Sequence, residues 1–297
     1  MSLKLSVWWG LVLLLLCSCS TARYAMGPQS RDIEALEGYR GTIQAVDYTS
    51  SEKNLDHRRM VVYLPENYES DTLRRFPVFY LLHGARGNEI TWVDSGKVLH
   101  RIDSLRMEKK ARDFILVMPN MNNYFGEADY KNGHCVNAMR AFWLLDGEAE
   151  RHFMHDVVKV VDSLYRTVPD KSGRAIAGMS SGALQAIYLS ANAVNSFDYV
   201  GLFSPYTYPT FSALGHMDVY GRLWKKLGRQ FAEPPALYAI YIGRKDVFRP
   251  HIYLFDQKLS RKGYPHRFTL TGGGHEWYNW IDYVTNFCQK IFPEETQ

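Results

Sequence analysis

The sequence predicts a single α/β domain on a doubly wound, mostly parallel sheet that begins with antiparallel strands. Short continuous apolar runs, such as residues 76–82 and 114–118, are typical of strands that are covered on both faces. Helical patterns alternate with these runs, and residues 148–166 carry apolar side chains at spacings of three and four. This alternation favours helices on both faces of the sheet, with a site beyond the C-terminal ends of the strands.

The individual elements follow from the same patterns. Residues 41–48 and 59–64 are expected to form an antiparallel hairpin at one edge, because the second run ends at Pro65 before a polar loop. Later strands are predicted at residues 76–82, 114–118, 175–179, 199–203 and 236–242, and a C-terminal helix at 277–292. The net charge of +4 is spread along the 297 residues, and this spread gives no support for nucleic-acid binding.

The N-terminus has the pattern of an export signal. Lys4 precedes the apolar run 5–17, which fits a signal-peptide core and is short for a membrane span. Residues 16–19 resemble a bacterial lipobox, so we expect 1–18 to be a lipoprotein signal peptide. Cys19 would then carry the lipid and hold the exported chain on a membrane facing the periplasm or the cell surface. Cleavage after Ala22, which gives a soluble exported protein, and an uncleaved anchor remain the alternatives.

A polar tether at 19–38 and one folded domain at 39–297 complete this organisation. Within the domain only Cys135 and Cys288 could pair in an oxidising compartment, and the sequence does not decide whether they do. No C-x-x-C is present, and the pair His152 and His155 has no third strong ligand nearby. The sequence therefore predicts no metal site.

The strongest chemical signal is a G-x-S-x-G pentapeptide centred on Ser180. It follows a strand-like run at 174–179 and precedes a helix-like run from residue 183, which is the order of a nucleophile elbow. A serine hydroxyl is a weak nucleophile unless a sharp turn exposes it, a base removes its proton and fixed donors receive the oxyanion.

An acid and a base follow Ser180 in the chain order expected of such a site. Asp246 comes directly after the apolar run 237–242, where a strand end delivers side chains to the active edge. His275 follows the glycines at 272–274 and precedes the last helix. We expect His275 to take the Ser180 proton and Asp246 to fix the imidazole tautomer. Other candidates lack this placement: Asp218, Asp256, His251 and His266.

A glycine-rich loop at 83–87 follows the strand that ends at Leu82. The backbone N–H of Ala85 in this loop and that of Ser181 are predicted to form the oxyanion hole. His83 is expected to organise the loop, because the proposed triad already contains its histidine.

These residues resemble the esterase D-like or feruloyl-esterase-like α/β-hydrolases, a group that includes S-formylglutathione hydrolases and mycolyltransferases. The resemblance spans residues 41–292 and implies an α/β-hydrolase fold and a serine carboxylesterase that needs no metal or organic cofactor, with Ser180, Asp246 and His275 as its triad. Ser181-Gly182-Ala183 replaces the Met-Gly-Gly frequent in the family but keeps both pentapeptide glycines. The motifs are Val62-Tyr63-Leu64-Pro65, Tyr80-Leu81-Leu82-His83-Gly84, Glu89-Ile90-Thr91-Trp92, Val117-Met118-Pro119-Asn120, Tyr165-Arg166-Thr167, Ala175-Ile176-Ala177-Gly178-Met179-Ser180 and Gly274-His275-Glu276-Trp277.

The substrate is expected to be an acetyl- or feruloyl-type ester, small or linked to a plant polysaccharide. Residues 122–143 are aromatic and polar and could form a lid or an acyl pocket. Trp92, Tyr124, Trp143 and Trp277 are the predicted substrate contacts, although large aromatic side chains mostly fill cores. Two other functions stay open at this point, namely acyl transfer to a sugar or other alcohol and an inactive glycan-binding surface lipoprotein.

Overall fold

The computed structural model describes residues 36–51, 58–85, 87–121, 147–207 and 216–293. Several predicted features lie outside these residues: the signal peptide, Cys19, Tyr124, Trp143 and Cys135. Within the described part of the chain, no helix is long and apolar enough to cross a membrane.

The described residues form one eight-stranded sheet with the order β1-β2-β4-β3-β5-β6-β7-β8. The first two strands pair in antiparallel fashion, and β2 also pairs antiparallel with β4, whereas all later pairs are parallel. This topology confirms the predicted fold class. The strands are β1 (Thr42–Tyr48), β2 (Arg58–Leu64), β3 (Val78–Leu82), β4 (Ile115–Pro119), β5 (Arg174–Met179), β6 (Tyr199–Phe203), β7 (Leu237–Gly243) and β8 (Arg267–Thr271).

Helices cover both faces of the sheet, as a doubly wound arrangement requires. They are α1 (Thr91–Asp94), α2 (Val98–Met107), α3 (Glu148–Phe153), α4 (Lys159–Leu164), α5 (Ser181–Asn192), α6 (Met217–Tyr220), α7 (Leu223–Gln230), α8 (Arg249–Arg261) and α9 (Trp277–Cys288). One buried cluster lies between the sheet and α3 to α8, and a second lies between the sheet and α1, α2 and α9. Neighbouring strand residues such as Tyr80 and Leu81 belong to opposite clusters, which explains why the strands are apolar without alternation.

The helix predicted over 148–166 is interrupted. A π-helical segment, Met154–Val158, separates α3 from α4, and such a segment shifts the register of side chains along a helix. Within it, Asp156 accepts hydrogen bonds from the Ser51 backbone N–H (2.8 Å) and from the Ser50 hydroxyl (2.9 Å). These bonds join the segment to the chain just after β1, a long-range contact that helical periodicity does not reveal.

The two glycines of the pentapeptide, Gly178 and Gly182, allow the start of α5 to pack closely against the end of β3. A Cβ on Gly182 would lie 2.3 Å from the backbone oxygen of His83, and one on Gly178 would lie 2.5 Å from the carbonyl carbon of Gly182. No larger residue fits at either position without moving the backbone. Close packing at this corner therefore brings Ser180 beside the loop that follows β3.

Candidate active site

Ser180 lies in the sharp turn between β5 and α5, as the pentapeptide predicts. Its backbone has φ 54° and ψ −116°, a positive-φ conformation that is strained for a residue other than glycine. The Ser180 N–H donates to the backbone oxygen of Phe203 at the end of β6, at 2.9 Å. This bond holds the turn against the neighbouring strand.

The structure brings the three predicted catalytic side chains together. His275 Nε2 lies 3.0 Å from Ser180 Oγ, and His275 Nδ1 lies 3.0 Å from Asp246 Oδ2. A Nδ1–H that donates to the carboxylate leaves Nε2 as an acceptor for the serine proton. Two aromatic rings pack against the imidazole in T-shaped arrangements. The ring centres of Phe248 and Trp280 lie 5.1 and 5.0 Å from that of His275.

The surroundings of Asp246 favour its ionised form. Its side chain is fully buried, and its Oδ1 accepts the backbone N–H of Phe248 at 2.9 Å. Burial pushes the pKa of this carboxyl upward, but the hydrogen bond and electrostatic attraction of the His275 ring, together with the Phe248 N–H, outweigh burial and lower the pKa below its usual value. A carboxylate that stays charged can stabilise the imidazolium formed during proton transfer.

The predicted oxyanion loop passes directly beside the nucleophile. A Cβ placed on Gly84 would lie 3.5 Å from the Ser180 Cβ, so Ala85 follows a residue that lies next to Ser180. Ser181 is the first residue of α5, and the N–H groups of a helix's first turn have no intrahelical partner. Ala85 and Ser181 remain the predicted donors.

His83 organises this loop, the role expected from the sequence. Its Nε2 accepts the backbone N–H of Met121 at 2.9 Å, and its Nδ1–H donates to the Gly84 oxygen at 2.8 Å. Burial lowers the pKa of His83 to about 4, so the ring is neutral at pH 7 with its proton on Nδ1. A neutral ring is required, because a protonated Nε2 could not accept the Met121 N–H.

Glu89 and Asn120 form a second anchor for the loop, which sequence reasoning missed. Both are buried, and Asn120 Nδ2 donates to Glu89 Oε2 at 2.9 Å. Arg58 on β2 in turn donates to the Asn120 backbone oxygen at 2.5 Å. Glu89 and Asn120 stand in two of the family motifs, which was the only sequence signal that pointed to them.

The prediction of Trp92 as a substrate contact is wrong in this structure. Trp92 is 1% exposed, and its Nε1–H donates to the Leu82 backbone oxygen at 3.0 Å, so it supports the base of the oxyanion loop instead. Trp277 is partly exposed and packs edge-on against Trp92 and Trp280, with ring centres 5.4 and 5.3 Å away. Trp277 stays a predicted contact, and Tyr124 and Trp143 are not described.

The burial of His83 predicts a pH-dependent stability. The unfolded chain binds this proton below about pH 6.5, whereas the folded chain does so only near pH 4. The free energy of unfolding should therefore fall by about 3 kcal/mol from this residue alone as the pH drops through that window. Urea denaturation at several pH values measures it, with His83→Gln expected to show a shallower loss than the wild type.

Equal slopes for His83→Gln and the wild type would contradict a neutral, buried His83.

The sequence matches the family model described as "Putative esterase" over residues 51–245. The match includes Ser180 and the oxyanion loop and ends one residue before Asp246. A curated relative, the endo-1,4-beta-xylanase/feruloyl esterase of Xylanibacter ruminicola, is 27% identical over 257 residues, which are 85% of this chain and 31% of that protein. The chain thus spans less than a third of the length of this relative.

Solved structures share the fold. A ferulic acid esterase superposes with a TM-score of 0.70 at 22% identity, covering 86% of this chain and all of that one. A ferulic acid esterase from Anaeromyces mucronatus, in complex with ferulic acid, superposes with a TM-score of 0.63 at 20% identity, covering 89% and 94%. With the match to the family model, the sequence resemblance is confirmed: the chain belongs to the esterase family and has the α/β-hydrolase fold.

Proposed function

We propose that this protein is a serine carboxylesterase that hydrolyses feruloyl- or acetyl-type esters through an acyl-enzyme. The observation that carries the proposal is the hydrogen-bonded series from Ser180 through His275 to Asp246, with 3.0 Å at each step. These distances lie within the reach needed for proton transfer between nucleophile and base.

In the first half-reaction, Ser180 Oγ attacks the ester carbonyl carbon while His275 Nε2 takes the hydroxyl proton. The carbonyl oxygen becomes an oxyanion, which the N–H groups of Ala85 and Ser181 stabilise. When the tetrahedral intermediate collapses, the carbon–oxygen bond to the alcohol breaks and His275 returns the proton to the leaving alcohol. The acyl group is then bonded to Ser180.

In the second half-reaction, water takes the place of the alcohol. His275 removes a proton from the water as its oxygen attacks the acyl carbon, and the bond to Ser180 Oγ breaks with return of the proton to the serine. The products are a carboxylic acid and regenerated enzyme. Asp246 stays ionised through both halves and stabilises the positive charge on the imidazole.

Two observations support an aromatic acyl group on plant polysaccharide. Trp277 offers a partly exposed ring next to Trp280, which contacts the catalytic histidine, and aromatic rings stack favourably at centre distances of about 4.5–7 Å. The Xylanibacter relative is named for both xylanase and feruloyl esterase activity, and the Anaeromyces structure contains ferulic acid.

Replacing the nucleophile tests the mechanism. Ser180→Ala should lower kcat for methyl ferulate and p-nitrophenyl acetate by at least about 10³-fold, because other groups of a hydrolase retain only residual catalysis. Ser190→Ala is the matched control: within the described residues, the hydroxyl of this buried serine on α5 donates to the backbone oxygens of Ala186 and Ile187, so the activity of the variant should stay near that of the wild type. Equal rates for Ser180→Ala and Ser190→Ala would refute the proposal.

We also propose that the chain is exported and anchored to a membrane by a lipid on Cys19. Support comes from the lipobox-like residues 16–19 after an apolar segment. Expressed in a bacterium fed an alkyne fatty acid, the wild type should take up the label and sediment with membranes, whereas Cys19→Ala should do neither. Cys17→Ala is the matched control and should keep the label. Label on Cys19→Ala would contradict lipidation at Cys19, and a wild type that takes up no label and does not sediment with membranes would favour a soluble exported protein.

A further inference from the structure

The turn that carries His275 is tightly packed. Residues 272–274 connect β8 to the catalytic histidine, and Gly273 has φ +69°, in the left-handed region that favours glycine. A Cβ on Gly273 would lie 2.7 Å from Glu276 Oε1 and 2.8 Å from Asn279 Nδ2. The turn therefore lies directly against the start of α9.

Two side chains from the start of α9 hold the polar backbone groups of this turn. Asn279 Nδ2 donates to the Gly272 oxygen at 3.1 Å and to the Gly274 oxygen at 2.7 Å. Glu276 Oε1 accepts the Gly274 N–H at 2.8 Å. Asn279 is 2% exposed, so its amide is held in place by packing, and losing the amide removes both donors to the Gly272 and Gly274 oxygens.

The same turn is joined to the loop of the catalytic acid. The backbone N–H of Lys245, one residue before Asp246, donates to the Gly273 oxygen at 2.8 Å. A Cβ on Gly243, at the end of β7, would lie 2.5 Å from the Gly273 oxygen and 2.8 Å from Asn279 Nδ2. Asn279 therefore lies where the 272–274 turn meets the end of β7, the strand that precedes Asp246.

We propose that Asn279 and Glu276 form a clamp on the 272–274 turn that positions His275 between Ser180 and Asp246. This inference rests on the proposed esterase function and names two positioning residues for it. His275 must meet two partners at 3.0 Å at the same time. Phe248 and Trp280 restrict the orientation of its ring, while the clamp fixes the backbone from which the ring projects.

Asn279→Leu removes both amide N–H donors at similar side-chain volume and without adding charge. A methyl group cannot approach the Gly274 oxygen to 2.7 Å, so the turn should shift by a fraction of an ångström. Misplacement of a catalytic group on this scale can cost up to about 100-fold in rate. We expect Asn279→Leu to lower kcat per active site by about 10- to 100-fold, with KM for methyl ferulate nearly unchanged.

Asn286 provides a matched control on the same helix. Its Oδ1 accepts the Tyr241 hydroxyl at 3.0 Å and the ammonium of Lys290, so Asn286→Leu also breaks two side-chain hydrogen bonds. Neither of those two hydrogen bonds involves the 272–274 turn. Asn286→Leu should therefore keep the wild-type kcat even where it lowers the melting temperature.

A direct readout is the downfield proton NMR signal of His275 Nδ1–H bonded to Asp246, assigned by its loss in Asp246→Asn. The proposal predicts that Asn279→Leu weakens or shifts this signal and that Asn286→Leu leaves it in place. Wild-type kcat together with a wild-type signal in Asn279→Leu would overturn the clamp. A wild type that hydrolyses no ester overturns the proposed function instead, while the NMR signal still reports on the clamp.

Variants of Glu276 test the clamp if Asn279→Leu does not fold. Glu276 is exposed, so its replacement has a small effect on folding. Glu276→Gln keeps an oxygen acceptor for the Gly274 N–H, and Glu276→Ala does not. A lower kcat and a changed NMR signal in Glu276→Ala, restored in Glu276→Gln, support the clamp, and equal values in the two variants overturn it.

Discussion

The active site depends on the positive-φ backbone of Ser180. Such a conformation costs of order 1–3 kcal/mol for a residue with a side chain and persists only where its surroundings enforce it. Here the enforcing contacts are the bond from the Ser180 N–H to Phe203 and the close approach of Gly178 and Gly182 to each other and to the end of β3. The sheet thus stores strain in the turn and exposes the hydroxyl at its C-terminal edge.

Around this turn, the reacting groups are held by contacts between loops. The loop predicted to form the oxyanion hole is fixed by the neutral His83 and by the Glu89–Asn120 pair. In the 272–274 turn, the Gly273 oxygen accepts a hydrogen bond from the backbone N–H of Lys245, next to Asp246. Fixed donors and a fixed base need little reorganisation when charge develops in the transition state, which is the main source of catalysis in sites of this kind.

The sequence was sufficient for the fold class and for the choice of Ser180, Asp246 and His275, which the structure places within hydrogen-bonding distance. Their identification rested on local signals and on a characteristic chain order. Ser180 and Asp246 each follow a predicted strand, and His275 follows the glycines at 272–274 before the last helix. The burial of Trp92 could not be predicted, since an aromatic residue near an active edge has the same sequence pattern whether it lines a pocket or fills the core.

Residues that act across long sequence distances were also missed. The bond from Asn120 to Glu89 spans 31 positions, and no periodicity indicates it. Asn279 looked like an ordinary residue of an amphipathic helix, because its importance comes from the turn that packs on it. The π-helical segment at Met154–Val158 was hidden for a related reason, since Asp156 bonds to residues more than 100 positions earlier.

Covalent labelling measures whether His275 activates Ser180. A fluorophosphonate probe bonds to an activated serine oxygen with loss of fluoride, and peptide mass spectrometry locates the adduct. We expect one adduct, on the peptide that contains Ser180, and much slower labelling in His275→Ala. An adduct on another serine, no adduct at all, or an unchanged labelling rate in His275→Ala would contradict it.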